Sequence, residues 1–500
     1  MLTPEYIAGL ADDILELYNE LETAILRDTV RRLLKTGTVT DTARWQISKA
    51  QEAGLLYEDV LRQTAKLSGK SDAEIERLFT DAGARALRFD IGVYRAAGLN
   101  PLPLNLSHAA SRVLLAGIKK TQGLLNNLTR TTANTSQQAF IHAATIAEMQ
   151  ITSGAFDPAT AIRNAIRQAI KESGSVIYPS GHTDRIDVAI TRAVRTGVSQ
   201  TTGEISLQYA NDMNCDLMET TAHFGARPSH AVWQGQLVSL SGRAGYLSLD
   251  DIGYGSGDGF KGWNCRHDWY PYFEGISRPA YSAQRLRELS DKTVRYNGEN
   301  IGYYDATQRQ REMERRIRTT RRELAGYDEA MKHMTEGQRK AIAADFDRAA
   351  VKLKQQETAY KDFAKQTDLT ARAGRLFTPE FNRSVSQKAV QANAAFTKLI
   401  GEPIIKTDKQ FGKKIGKHAS DFGLNPRNTK DRKQMESIID GIVKNHTEVR
   451  LGQWRGQPNA VLFYIKDTDV VLVSKEREFI TILKGGVENG RVKNARKLKV

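Results

Sequence analysis

Two groups of side chains in this sequence could carry out chemistry, and the first lies near the carboxyl end. Residues 406–418 contain five lysines and end in Lys417-His418. A histidine among cations can transfer protons while lysine and arginine stabilise a charged phosphorane, which favours metal-free cleavage of RNA through its 2′-hydroxyl. Further cations, an aromatic ring and a hydroxyl complete the group: Lys413, Lys414, Arg450, Trp454, Arg455, Lys475, Arg477 and Thr481.

Each of these residues also has an ordinary structural interpretation. His418 could cap a helix, Trp454 could pack in a core, and Thr481 is a common strand residue. The segment shows no group of carboxylates that would indicate a metal ion. RNA cleavage therefore competes with a basic surface that binds a polyanion without chemistry.

The second group combines histidine with cysteine in the middle of the chain. His223, His230, Cys265 and His267 offer imidazole and thiolate, which are good zinc ligands. His223 and His230 are seven residues apart, however, whereas zinc fingers usually space paired ligands by two to four residues. We therefore favour a structural motif without metal or cofactor, and a disulfide between Cys215 and Cys265 stays an open alternative. In this motif, packing and hydrogen bonds hold a glycine-rich loop through Arg227, Trp233, Trp263, Asn264 and Arg266 as well.

Helical patterns dominate the segments before and around these groups. Apolar residues recur every three or four positions from Ile7 to Ile25, which predicts a helix, and we predict an all-helical region over residues 1–174. Ser71 and Glu74 have the spacing of a capping box, which predicts a helix start at Ser71. Residues 175–275 predict a small α+β domain with a short extended segment, a helix to about residue 211 and a strand at 215–222.

The second half of the chain returns to helix and then changes to strands. Narrow apolar stripes with charged flanks predict a helical hairpin or coiled coil over 276–377, followed by a linker at 378–390. Residues 391–500 predict a helix at 431–445 and strands at 448–454, 460–465, 469–473 and 478–483. The predicted fold class is mainly α in the N-terminal and middle regions, with a small α+β domain between them. A C-terminal α+β domain follows, with an N-terminal helix and an antiparallel sheet.

Positive charge is concentrated at the carboxyl end. The 500 residues carry a net charge of +15, and residues 391–500 hold 22 lysines and arginines against 12 acidic residues, a net +10. This excess indicates a polyanion partner, most simply nucleic acid, or a solvated charged surface. No apolar run is long enough to span a bilayer, so we expect no membrane partner, and two cysteines fit a reducing compartment.

The second group also carries a family resemblance. Ala222–Gly235, which read AHFGARPSHAVWQG, and Gly262–His267, which read GWNCRH, closely resemble the phage minor capsid protein 2 family. That family lies within the wider Mu F-like (MuF) head-morphogenesis group, and the resemblance covers about residues 1–280. Many members of the wider group have a second cysteine where this chain has His267. This departure puts a shared metal or disulfide role for the loop in doubt.

The resemblance implies a location and a set of partners. It implies a virion protein inside the phage head, present in few copies and associated with portal and capsid proteins and with packaged DNA. Such a protein takes part in head assembly or in the packaging and delivery of DNA. It occupies the host cytoplasm during assembly, and its helical regions are docking surfaces.

The carboxyl-terminal residues resemble a second family. The helix-then-sheet order and the segments Lys417-His418 and Phe479-Ile480-Thr481 are similar to the barnase–EndoU–colicin–RelE group of ribonuclease toxins. This resemblance implies that His418 is the acid or base, that Arg450 contacts phosphate, and that Thr481 contributes a hydroxyl contact, with no cofactor. It also implies host RNA as the substrate, ejection into the infected cell and an immunity protein as a partner.

Two functions therefore compete for the chain as a whole. The favoured hypothesis is a portal-associated minor capsid protein whose C-terminal ribonuclease domain is ejected with the DNA. The alternative is a wholly structural head protein whose basic domain binds packaged DNA or the portal, with an affinity that falls steeply with salt and does not depend on His418. Both hypotheses assign nucleic-acid contacts to Lys413, Lys414, Lys417, Trp454, Arg455, Lys475 and Arg477.

Overall fold

Helices occupy most of the first 172 residues in this computed structural model. Thr3 caps the first helix by accepting a hydrogen bond from the Tyr6 backbone. The helices are α1 (Pro4–Gly9), α2 (Asp12–Thr36), α3 (Thr42–Ala96), α4 (His108–Thr152) and α5 (Pro158–Glu172). The structure describes residues 1–37, 42–172, 174–371, 373–379, 381–401, 404–457, 461–474 and 476–498.

Helix α3 corrects one prediction from the sequence. Ser71 begins no helix, because α3 continues through it for 55 residues, a length of about 80 Å. Ser71 is buried within the helix, and Val60, Ile75 and Leu78 are buried on either side of it. This continuous buried face outweighs the local capping signal, since tertiary burial overrides a short-range preference.

A small antiparallel sheet follows the helical region and positions the histidine and cysteine residues. The hairpin of β1 (Ser175–Ile177) and β2 (Thr183–Arg185) leads into α6 (Ile186–Asp212). Strand β3 (Leu217–Thr220) then pairs on one side with β4 (Leu237–Ser239) and on the other with β5 (Trp269–Tyr272). The short helix α7 (Pro228–Ala231) lies between β3 and β4 in the chain. The predicted helix and strand of this region are therefore present.

Helices α4 and α6 approach each other closely because each presents a glycine to the other. A Cβ atom on Gly117 of α4 would lie 2.0 Å from Thr201 Oγ1, and one on Gly197 of α6 would lie 2.2 Å from Thr121 Oγ1. Thr121 and Thr201 are both buried. The absence of two Cβ atoms therefore sets the distance between these helices.

Residues 276–377 contain the predicted helical hairpin and also a β-hairpin that the sequence analysis missed. Helix α8 (Ala283–Ser290) precedes β6 (Thr293–Tyr296) and β7 (Glu299–Gly302), which pair before α9 (Tyr303–Lys332) and α10 (Glu336–Thr367). Tyr360 donates a hydrogen bond to Glu314 across the helix pair over 3.0 Å. Arg322 of α9 also forms a 2.6 Å ion pair with the buried Glu22 of α2. The helical pair therefore packs on the N-terminal helices and is no free-standing coiled coil.

The chain divides into two compact units. The first comprises Met1–Ala349 and Gln356–Val385, and the second comprises Ala350–Gln355 and Ser386–Val500. The sequence predicted a linker at 378–390, but α11 (Arg383–Gly401) begins inside that segment.

The second unit has a five-stranded antiparallel sheet with an apolar core on each face. Its elements are α12 (Asp408–His418), α13 (Thr429–Lys444), β8 (Glu448–Gly452), β9 (Val461–Lys466), β10 (Asp469–Val473), β11 (Phe479–Leu483), α14 (Gly490–Lys493) and β12 (Arg496–Leu498). The strand order is β11-β10-β9-β8-β12. Ile415 of α12 and Met435 of α13 pack on one face, and Val492 of α14 packs on the other. The four predicted strands are present, whereas β12 was missed, and the layout confirms the helix-rich α+β class.

Candidate functional site

Three potential ligand atoms converge in the first unit. His230 lies on α7, which starts at Pro228, while Cys265 and His267 lie on the loop before β5. The two Nδ1 atoms of His230 and His267 are 3.4 Å apart, and Cys265 Sγ lies 3.8 Å and 3.6 Å from them. All three residues are buried. Asn264, with a φ of 56°, turns the backbone so that Cys265 and His267 both face His230.

The other ring nitrogen of each of these histidines contacts an oxygen. His230 Nε2 lies 2.7 Å from the backbone oxygen of Asp258, and His267 Nε2 lies 3.4 Å from Gln234 Oε1. Gln234 Oε1 also accepts a hydrogen bond from the backbone N–H of His223 over 3.1 Å, which fixes the orientation of the amide. Since both oxygens only accept, both Nε2 atoms carry the proton and both Nδ1 atoms carry a lone pair.

His223 stacks on this cluster but contributes none of its three converging atoms. Its ring lies 4.4 Å from the ring of His267 at an interplanar angle of 27°. Its Nδ1 lies 2.9 Å from the Phe224 oxygen, and its buried Nε2 has no hydrogen-bond partner among the described residues. The imidazole therefore presents one unsatisfied nitrogen in the interior.

Burial sets the protonation of the cluster. It lowers the pKa of His223 and of His230 to about 4, and that of His267 well below its ordinary value. Nearby cations, Arg266 above all, add to this shift at His223, and burial raises the pKa of the Cys265 thiol. At neutral pH without a bound cation, the imidazoles are neutral and the thiol is protonated.

A polar cavity of about 150 Å³ opens beside the cluster. His223, His230, Cys265 and His267 line it together with Tyr304, Gln308 and three arginines: Arg227, Arg266 and Arg311. Burial, followed by the charges of Arg375 and Arg266, lowers the pKa of Arg311 to about 10. The cavity wall therefore combines neutral nitrogen and sulfur donors with a concentration of positive charge.

The remaining residues of the predicted structural motif hold the loop that forms this wall. Arg227 donates to the Trp263 oxygen over 2.7 Å, and Arg266 donates to the Gly225 oxygen over 2.9 Å. Asn264 Oδ1 accepts from Arg195 over 3.2 Å. Trp233 is buried with its ring 4.6 Å from His230 and 4.8 Å from His267, whereas Trp263 is exposed. Both cysteines are free, so Cys215 and Cys265 do not form the disulfide that the sequence left open.

A buried ion pair supports the same loop, and the sequence analysis missed it. Lys261 and Asp268 are 2% and 0% exposed and form a salt bridge. The Asp268 carboxylate also accepts a hydrogen bond from the Leu2 backbone N–H. The Asp268 backbone N–H donates to Thr221 Oγ1 over 2.8 Å. Nothing in the spacing of a single lysine and a single aspartate distinguishes such a pair from surface charges, so the sequence offers no signal for it.

The three predicted catalytic residues of the second unit do not converge. His418 ends α12, on the sheet face covered by Ile415, and its Nδ1 lies 3.0 Å from Asp421 Oδ2. Arg450 of β8 and Thr481 of β11 point to the opposite face, where Arg450 donates to the Val492 oxygen over 2.9 Å. Three strand spacings, roughly 14 Å, separate the backbones of Arg450 and Thr481. His418 therefore lies on one face of the sheet, and Arg450 and Thr481 lie far apart on the other.

The predicted nucleic-acid contacts fall into three classes. Lys413 and Lys417 are exposed on α12 with Lys414 half-buried beside them, and Arg455 is exposed after β8 with its guanidinium over Trp454. Arg477, by contrast, is buried against Tyr464, so little of its side chain is exposed to a polyanion in this structure. Trp454 packs on Phe463 in the core on the sheet face that Val492 covers. Lys475 lies outside the described residues.

Comparison with known proteins identifies the family of the first unit. The family model of phage minor capsid protein 2 matches residues 2–365, more than half of the chain. A curated protein described as "Structural protein", from Lactococcus phage LL-H, is 24% identical over 307 residues, which span 58% of this chain and 79% of that protein. No solved structure matches the chain, and among the described helices none is long and apolar enough to cross a membrane. The chain therefore belongs to the phage minor capsid protein 2 family.

Proposed function

We propose that this structural phage protein acts at the portal inside the head and that its second unit binds packaged DNA. The observation that carries the proposal is the lysine cluster of α12, defined as Lys413, Lys414 and Lys417. None of the three forms an ion pair with a residue that the structure describes. Burial and then the charges of Lys417 and Lys413 lower the pKa of Lys414, which indicates mutual repulsion that a bound polyanion would relieve.

The first unit supplies the proposed attachment to the particle. Family membership concerns residues 2–365, and the net charge of +10 in residues 391–500 lies outside that range. In our proposal the central sheet with His223–His267 corresponds to the MuF-like domain, and it contacts portal and capsid proteins. The basic unit then faces the DNA.

Salt dependence of DNA binding tests the lysine cluster in the full-length protein. Each phosphate contact contributes about −0.9 to the slope of log affinity against log salt. Replacing the three lysines by glutamine should therefore reduce the magnitude of this slope by up to about 3. A matched control removes three exposed lysines of the first unit, Lys70, Lys119 and Lys120. Fluorescence anisotropy with duplex DNA gives both slopes. Equal slopes for the two triple variants would contradict the proposal.

Cleavage of host RNA is the second candidate function, and one contact favours it. The Asp421 carboxylate orients the His418 ring, whose side chain is 14% exposed beside Lys417. An oriented imidazole next to cations can take a proton from a 2′-hydroxyl, here through Nε2, the ring nitrogen that does not contact Asp421. Under this candidate the unit is a ribonuclease effector that leaves the head with the DNA, and an immunity protein restrains it.

Two measurements on the same variants separate the candidates. His418→Gln in the full-length protein abolishes cleavage of total RNA on a gel if the second candidate is correct, while the salt slope for DNA stays unchanged. Asp421→Asn lowers the rate without abolishing it, because it removes the orienting contact only. RNA that stays intact with the wild-type protein excludes the enzymatic candidate and leaves DNA binding in place.

A further inference from the structure

We propose that His230, Cys265 and His267 bind a zinc ion through Nδ1, Sγ and Nδ1 respectively. This site is independent of the lysine cluster and of the proposed DNA binding. The seven-residue spacing of His223 and His230 favours a motif without a metal. The structure joins His230 instead to a Cys-x-His pair that lies 35 residues later.

The separations between the three atoms fit tetrahedral coordination. Zinc–nitrogen bonds of about 2.05 Å and a zinc–sulfur bond of about 2.3 Å at tetrahedral angles place two nitrogens about 3.4 Å apart and each nitrogen about 3.6 Å from sulfur. The observed nitrogen–nitrogen distance is 3.4 Å, and the sulfur–nitrogen distances are 3.6 Å and 3.8 Å. One ion can therefore reach all three atoms without moving the backbone.

The surrounding hydrogen bonds present both imidazoles as ligands. Metal-bound histidine usually donates its other ring N–H to a carbonyl or carboxylate oxygen, which fixes the tautomer. His230 does so to the Asp258 oxygen and His267 to Gln234 Oε1. Both Nδ1 lone pairs consequently face the same point and the Cys265 sulfur.

Packing without a metal leaves this arrangement incompletely satisfied. The Cys265 thiol has a single proton, which can be donated to one Nδ1 atom only. The second Nδ1 then faces a lone pair at 3.4 Å in a buried position, where an unpaired acceptor costs free energy. A divalent cation satisfies both nitrogens and the thiolate at once. Packing explains why the rings are buried. It does not explain why three atoms with lone pairs converge on one point.

The ligand types and the cavity indicate which ion binds and how. Two imidazoles and one thiolate favour zinc over magnesium or calcium, which prefer oxygen. The cavity of about 150 Å³ gives room for water as the fourth ligand. The guanidinium groups of Arg227, Arg266 and Arg311 on its wall favour the thiolate form of Cys265 and a negatively charged fourth ligand.

Metal content and cobalt spectroscopy test the site in the full-length protein. We expect about one zinc per chain after purification without chelators, and one cobalt after exchange with Co²⁺. Thiolate-to-cobalt charge transfer and intense visible bands then report tetrahedral coordination. Cys265→Ser removes the charge-transfer band, and Cys265→Ser and His230→Gln each weaken zinc affinity at least tenfold in competition with a chromogenic chelator. Cys215→Ser, the matched buried thiol, leaves both readouts unchanged.

Two results would overturn the assignment. The first is wild-type protein that holds no zinc and shows no tetrahedral cobalt spectrum with Co²⁺ in excess. The second is a charge-transfer band that persists in Cys265→Ser or disappears in Cys215→Ser. The wild-type spectrum and the Cys215→Ser control do not depend on Cys265→Ser folding correctly, so the test decides even if that variant misfolds.

Discussion

At the scale of single residues, buried charges and rings stabilise the loop between β4 and β5. Burial alone would raise the pKa of Asp268, but Lys261 holds it below its ordinary value. Lys261 also has a φ of 61°, and its stem packs against Gly203 of α6. The ion pair therefore depends on a strained backbone position and on a helix contact, neither of which a sequence pattern indicates.

Removal of one member of this pair should be costly. Lys261→Met leaves the Asp268 carboxylate buried without its partner, and such a loss typically lowers the free energy of unfolding by about 3–5 kcal/mol. The double variant with Asp268→Asn should recover part of the loss, because no charge then remains buried. Urea unfolding measures both. The exposed Lys119→Met should change stability by less than about 0.5 kcal/mol, and an equal effect at the two lysines would refute this account.

The histidines should make the first unit sensitive to acid. Their unfolded pKa is about 6.5, and burial lowers the folded pKa of His223 and His230 to about 4. The unfolded state therefore binds more protons between these values, so stability is full above pH 6.5 and falls as the pH drops toward 4. His267, whose pKa is also lowered, adds to this effect. Asp90, whose pKa burial raises to about 6, acts in the opposite direction, as do Glu22 and Glu219, whose pKa values burial also raises, so the histidine contribution is isolated by comparing variants.

Urea midpoints at pH 7.5, 6 and 4.5, measured with a chelator present, check this pH dependence. For His223, the difference between the unfolded pKa of about 6.5 and the folded pKa of about 4 corresponds to a free energy of about 3 kcal/mol. His223→Phe keeps the stacking but removes the titration, so its stability should fall less steeply toward low pH. A stability of His223→Phe that falls as steeply toward low pH as that of the wild type would show that the His223 ring is not buried neutral.

At the scale of elements, close helix contacts decide what the scaffold tolerates. Gly117→Ala and Gly197→Ala should each cost about 1–3 kcal/mol, because a new methyl group overlaps a buried threonine hydroxyl on the facing helix. Gly123→Ala on the same α4 meets nothing within 4 Å and should stabilise the helix by up to about 1 kcal/mol. Thermal unfolding of the three variants distinguishes them. Equal effects would mean that helix propensity, and not the contact, determines the result.

Elements with strong local patterns could be predicted, and elements defined by distant partners could not. The period of Met435 and Ile439 predicted α13, and apolar runs predicted β8–β11, because burial on both sheet faces needs such runs. No residue of β6 or β7 is fully buried, and β12 is short and basic, so neither carries an apolar pattern. The helix start predicted at Ser71 was wrong for the converse reason. The local capping pattern is strong there, but burial of α3 against other helices keeps the helix continuous.

The candidate sites show the same division. The motif around His223–His267 could be found from its residue types, but which three side chains meet depends on the turn at Asn264 and on Gln234. In the second unit, the histidine and lysines of α12 were identified correctly as neighbours. Arg450 and Thr481 were grouped with them from their residue types and from the family resemblance, neither of which reveals which face of a sheet a residue occupies.

At the scale of the whole molecule, family membership and charge concern different parts of the chain. The family match covers residues 2–365, whereas residues 391–500 carry two thirds of the net charge, +10 of +15. Membership makes the chain a structural protein of the phage particle. The basic residues 391–500 lie outside the family match, so a distinct function can be added there without altering the helical scaffold.

The ion pairs of Glu22 also have a consequence for synthesis on the ribosome. This buried carboxylate of α2 is paired with Arg185 and with Arg322, each at 2.6 Å. Arg322 is translated 300 residues after Glu22, which takes roughly 15–60 seconds at bacterial rates of about 5–20 residues per second. During that interval Glu22 lacks one of its two partners, and the part of α2 that packs on α9 stays uncovered. The nascent N-terminal helices should therefore depend on chaperones until α9 emerges.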